Sequence, residues 1–74
     1  MAELSKVKTG DKLSNGALVI AEKSTDQDFL QIILCWFNGQ YVTWLYNLET
    51  KGASGGYYFE KDIAAAAANF EARR

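Results

Sequence analysis

Histidine is absent from this sequence, and with it go the commonest general base, the usual neutral metal ligand and every Ser/His or Cys/His nucleophile pair. Proline is absent too, and the six glycines are scattered as single or paired punctuation, so there is no rigid or Gly-rich linker on which to divide the chain. Cysteine occurs once, at Cys35, which excludes an intramolecular disulfide framework and fits a reducing compartment. No apolar run exceeds that from Ile32 to Phe37, far short of the roughly 20 residues a membrane-spanning helix needs, and Met1 to Lys6 shows no apolar signal core. A large charge of either sign is missing as well. Eight Lys and Arg against nine Asp and Glu give a formal net charge of −1, so no global field draws the chain to nucleic acid or an anionic membrane. The expectation is a soluble, cytoplasmic protein with no membrane association, no metal and no cofactor. At 74 residues it is read as one small domain, of a size that buries only about 60% of the surface of its unfolded chain.

What the sequence has in abundance is one aromatic, β-branched stretch, Phe29 to Leu48, broken at its centre by Asn38-Gly39. Asn-Gly is the dipeptide best suited to a two-residue hairpin turn, because both central residues need φ > 0. Placing it at the tip fixes a register. Phe37, Cys35, Ile33 and Gln31 then face Gln40, Val42, Trp44 and Tyr46 on one side of the hairpin, which we call the Trp44 face. Trp36, Leu34, Ile32 and Leu30 face Tyr41, Thr43, Leu45 and Asn47 on the other, the Thr43 face. Neither side is polar.

A second Asn-Gly, Asn15-Gly16, lies between Asp11-Lys-Leu13 and Ala17 to Lys23 and predicts a smaller hairpin; Lys6-Val-Lys8, ending at Gly10, reads as an arm or short edge strand. Ser24 to Asp28 is a polar turn. Asp26 and Asp28 lack the glycine and terminal glutamate of a calcium loop. Glu49 to Gly56 reads as a flexible hairpin loop before a short aromatic strand, Tyr57 to Phe59. Its glycines do not open into a helix, as a phosphate cradle requires. The only predicted helix starts at Asp62, a good N-cap, runs through Ala64 to Ala68 and ends at Arg73 and Arg74, which suit the negative pole of its dipole. Ile63, Ala66 or Ala67, and Phe70 form its apolar stripe. The expected fold class is therefore α+β: an antiparallel sheet of four to five strands, built from two Asn-Gly hairpins plus a short aromatic strand, with one C-terminal helix packed on one face.

A strand as long as Phe29 to Phe37 extends about 30 Å, whereas the helix spans about 18 Å and is roughly 10 Å wide, so one helix cannot cover both faces. The Trp44 face is expected beneath it, because the opposite face carries Thr43, Asn47 and the polar tips of Trp36 and Tyr41. That leaves Leu30, Ile32, Leu34, Trp36, Tyr41, Thr43 and Leu45 as the candidate partner-binding surface, unless the N-terminal hairpin folds back over them and closes a small barrel or sandwich. A non-enzymatic interaction module, self-associating as a homodimer, is the expectation. Cys35, mid-strand between Leu34 and Trp36, reads as a small core residue rather than a nucleophile, and Glu60 and Asp62 as helix-start residues rather than an acid/base pair. The alternative is a binder of single-stranded nucleic acid that stacks bases on Trp36 and Tyr41 with help from Lys6, Lys8, Lys12, Lys23 and Lys51.

Tyr41-Val-Thr-Trp44, Gly56-Tyr-Tyr58-Phe59 and Asp62-Ile63 with Ala66, Phe70 and Arg73, preceded by Gly10-Asp11 and Asn15-Gly16-Ala17, also carry a resemblance. They resemble short, mostly uncharacterised phage and bacterial mobile-element proteins that share a Y-V-T-W … G-x-Y-F … D-L-x-x-A-x-x-x-F-x-x-R pattern. The chain departs from them at Ala64 and Ala65, where acidic residues are common. The resemblance implies a phage or mobile-element accessory protein that binds a host or defence protein.

Overall fold

A computed structural model describes residues 6–73. Four strands, β1 (Leu18–Ser24), β2 (Leu30–Phe37), β3 (Gln40–Asn47) and β4 (Gly52–Tyr58), form one antiparallel sheet in sequence order, followed by a single helix, α1 (Ile63–Ala72). The class is α+β. Met1 to Ser5 and Arg74, to which the expected arm and the end of the helix extend, lie outside the described residues.

β2 and β3 are the centre of the sheet. Asn38 and Gly39 join them with φ of 53° and 81°, and Phe37 stands opposite Gln40, Cys35 opposite Val42, Ile33 opposite Trp44 and Leu30 opposite Asn47. Asn15-Gly16, by contrast, does not join two strands. Ser14, Asn15 and Gly16 make a three-residue loop: the Gly16 N–H donates to the Leu13 carbonyl at 2.9 Å, the Leu13 N–H to the Ala17 carbonyl at 2.8 Å, and Gly16 takes the left-handed φ of 91°. Only Lys12 and Leu18 bridge beyond it. The pairing ends where Gly10 (φ 96°) and Asp11 both face Val19, the Gly10 N–H donating to its carbonyl and its N–H donating to the Asp11 carbonyl, each at 2.8 Å. This bulge turns the preceding chain off the sheet edge, so no fifth strand forms among the described residues.

The diverted segment crosses the Trp44 face. Gln31, fully buried, holds it by accepting from the Val7 N–H at 3.0 Å and donating through Nε2 to the Val7 carbonyl at 2.7 Å. Val7, Ala17 and Leu48 then close over Val19, Ile33, Cys35, Val42, Trp44 and Tyr46.

The helix lies on the opposite face, contrary to expectation. Ala66 and Phe70 pack on Ile32 and Leu34, with Ile20, Ala21, Tyr41, Leu45 and Phe59 around them. The polar Thr43, which pointed to a solvent-facing side, is the reason. Its buried hydroxyl donates to Asn69 Oδ1 at 2.6 Å and accepts from Arg73 Nη1 at 3.2 Å, so the helix meets this buried hydroxyl with two polar groups of its own. Asp62 caps the N-terminus by accepting from the Ala65 N–H at 3.0 Å. Of the expected stripe, Ala66 and Phe70 are buried while Ile63 is 44% exposed.

Candidate interaction edge and aromatic recess

The helix covers the centre of the surface expected to be bare. Ile32, Leu34 and Thr43 are at most 4% exposed beneath it, and Leu30, Tyr41 and Leu45 are half-buried. Trp36 alone of the seven expected residues is exposed; it packs edge-on against Tyr41 with ring centroids 4.9 Å apart at the hairpin tip. The seven residues share a face, but as the floor under α1 more than as an open surface. Of the lysines expected beside Trp36 and Tyr41, two are engaged elsewhere, whereas Lys12 bridges Leu18, the cross-strand neighbour of Trp36. Lys6 donates to Ser24 Oγ at 2.8 Å, and Lys23 donates to the Glu71 carbonyl at 3.0 Å while its ammonium lies 5.1 Å from the Phe70 ring centroid. A recess between Lys23, Asp26 and Arg73 therefore has both of its cations already engaged, Arg73 also stacking 5.0 Å from the Tyr57 ring centroid.

Among the described residues, the strand that neither cover reaches is β4. It extends well upstream of the expected Tyr57–Phe59 strand, because the Asn47 side chain organises a tight turn: Oδ1 accepts from the N–H of Glu49 at 2.8 Å and of Thr50 at 3.2 Å, and the Lys51 N–H donates to the Asn47 carbonyl at 2.8 Å. Gly52 therefore pairs with Asn47 straight away, and the stretch expected to be loose becomes strand. All seven residues of β4 are exposed, and the strand is paired on one side only. The two edges of the sheet differ. β1 is shielded by the Gly10–Leu13 segment, by an irregularity at Ile20 and by the charges of Glu22 and Lys23; β4 carries no charge at all.

Gly55 and Gly56 form a bulge opposite Trp44. Gly55 takes φ 62°, and Gly56 leaves room for the Trp44 indole: a Cβ at position 56 would stand 2.6 Å from Nε1. On the Trp44 face the small residues Gly52 and Ala53 leave a recess of about 360 Å³. Phe37, Trp44, Tyr46 and Tyr58 wall it, with Leu13 and Lys51 at its sides. Phe37 and Tyr58 flank Trp44 at centroid distances of 5.4 Å and 6.4 Å, Tyr58 nearly perpendicular to it.

No family model matches this chain, and no curated protein or solved structure matches it significantly.

Chemistry requiring a reactive group has little to work with among the described residues. Cys35 is fully buried, and burial pushes its thiol from an ordinary 9.0 up to about 12, which leaves it protonated and unreactive near neutral pH. No cluster of three or more His, Cys, Asp or Glu side chains is placed to hold a metal, and no helix is long and apolar enough to cross a membrane, again among the described residues. Sequence reasoning found the Tyr57–Tyr58 end of β4 but took Gly52–Gly56 for a loop and missed the recess. The signal was the uncharged run Gly52 to Tyr58 following Asn47, whose side chain can set up a short turn.

Proposed function

We propose that this chain is a non-enzymatic protein-interaction module that acts through the open side of its sheet, the β4 edge and the aromatic recess beside it. One observation carries the reading: among the described residues, β4 is the only strand exposed at every residue, uncharged and paired on one side. A free row of backbone N–H and C=O groups is a template for strand addition, and small residues beside a recess walled by aromatic rings and rimmed by Ser14, Asn15 and Lys51 give an incoming side chain somewhere to go. The resemblance to mobile-element proteins adds a host or defence protein as the kind of partner such a module would serve, and self-association uses the same edge.

Position-specific photo-cross-linking tests it. A photoreactive residue at Tyr57, on the edge, is compared in cells with one at Ala68, on the exposed outer side of α1. A protein adduct at position 57 and none at 68 supports the reading. Adducts only at 68, or adducts to nucleic acid, overturn it. The nucleic-acid alternative has its own readout: an oligonucleotide that quenches tryptophan fluorescence at low salt, with affinity falling steeply as salt rises, would place stacking on the recess and Lys51 in place of protein binding.

A further inference from the structure

Resting on the reading of β4 as the interaction edge, we propose that its occupant is a second copy of this chain, with the two β4 strands antiparallel about a two-fold axis at the Gly55–Gly56 bulge. The argument is in the side chains of β4 itself. The strand is small at one end, Ala53 and Ser54, and large at the other, Tyr57 and Tyr58. Ala53 stands opposite Tyr46 and Tyr58 opposite Val42, so both belong to the Trp44 face. Ser54 stands opposite Leu45 and Tyr57 opposite Thr43, so both belong to the Thr43 face. Residues directly opposed across an antiparallel pair share a face. A two-fold axis at the glycines therefore sets Tyr58 against the second copy's Ala53 on one face and Tyr57 against the second copy's Ser54 on the other, and symmetry repeats both contacts.

Each pair joins a ring to a small side chain, and each obeys the pleat although a bulge lies between them. The bulge, which would bend a lone edge away from a straight partner, sits at the axis in both copies, so the two irregularities coincide and the straight ends pair. The second copy's Tyr58 arrives beside Ala53, where the aromatic recess opens. Just beyond the strand, the exposed Lys51 lies at one end and the exposed Glu60 at the other, so antiparallel pairing sets opposite charges at each end of the contact. A parallel arrangement would set tyrosine on tyrosine and Lys51 on Lys51. A foreign strand would have to supply this pattern; β4 already contains its own complement.

The experiment combines solution mass with cross-linking. Light scattering on the full chain is expected to give twice the 8.2 kDa chain mass, falling to the monomer in Ala53→Arg with far-UV circular dichroism unchanged. In Ala53→Cys/Tyr58→Cys, mild oxidation is expected to give a covalent dimer, and neither single variant should do so. Within one chain the two positions are about 16 Å apart along the strand, too far for an internal disulfide. Lys51→Glu is expected to weaken the dimer and Lys51→Glu/Glu60→Lys to restore it, which keeps the proposal testable if Ala53→Arg misfolds. A wild-type monomer at every concentration, a dimer that survives Ala53→Arg, or single-cysteine variants that cross-link as fast as the double one would overturn it. A monomer that still yields the Tyr57 photo-adduct with another protein overturns self-association alone; loss of both overturns the interaction edge itself.

Discussion

Gly56 and Cys35 show at single residues how tightly the Trp44 face is filled. A Cβ on residue 56 would meet the Trp44 ring at 2.6 Å and 2.8 Å, and Trp44, only 5% exposed between Phe37 and Tyr58, has little freedom to retreat. Gly56→Ala is therefore expected to destabilise the fold by about 1–3 kcal/mol, the usual range for overpacking, read as a lower urea midpoint with an unchanged m-value. Cys35 makes a pH-dependent prediction. The unfolded thiol ionises near its ordinary 9.0, whereas the folded one holds its proton to about 12. The folded state therefore binds more protons between those values, and stability falls as pH rises through that window, by at most about 1.4 kcal/mol per pH unit from this group. Below the unfolded value the group contributes no slope. Urea unfolding of wild type and Cys35→Ala from pH 8 to 10.5 should show the wild type losing more, and a disulfide reagent should label Cys35 at neutral pH only in denaturant.

At the scale of elements, the hairpin of β2 and β3 was the most legible part of the sequence. Asn38-Gly39 specifies a turn length, and the turn length specifies every cross-strand pair. Asn15-Gly16 was misleading because the same dipeptide also fits the last two positions of a three-residue loop, and only the neighbouring Gly10 bulge shows that no long strand can pair there. The side chosen by α1 was read backwards for a related reason. Thr43 counted as polar and so as exposed, yet Asn69 and Arg73 fall on the same helical stripe as Ala66 and Phe70, which was the available sign that a hydroxyl waits beneath. That contact is testable. Thr43→Val keeps the shape but leaves Asn69 Oδ1 and Arg73 Nη1 without their partner, at an expected cost of about 1–3 kcal/mol. Asn69→Ala should cost less in the Thr43→Val background than in wild type, a coupling that a double-mutant cycle of denaturation midpoints measures. The helix also depends on its cap: Asp62→Ala removes the acceptor for the Ala65 N–H and is expected to cost about 0.5–2 kcal/mol.

Across the whole molecule, one four-stranded sheet is covered by the two ends of its own chain, the N-terminal segment on the Trp44 face and α1 on the Thr43 face. Both covers lie over the centre of the sheet, and their buried residues come from β1, β2 and β3 but none from β4. Protection against amide exchange should follow that pattern. Amides of β2 and β3, paired on both sides and buried, are expected to open only with global unfolding, while β4 opens through local excursions at much lower free energy. Concentration separates the two states of the edge. In a monomer the exchange rates of β4 do not depend on protein concentration, whereas strand pairing between copies slows β4 amides as concentration rises and leaves β2 and β3 unchanged. Exchange followed at several dilutions by mass spectrometry of peptic fragments covering Gly52–Tyr58 would show it. Protection that rises across the whole sheet would indicate a general stabilisation instead, and protection confined to β4 locates the contact on the β4 edge.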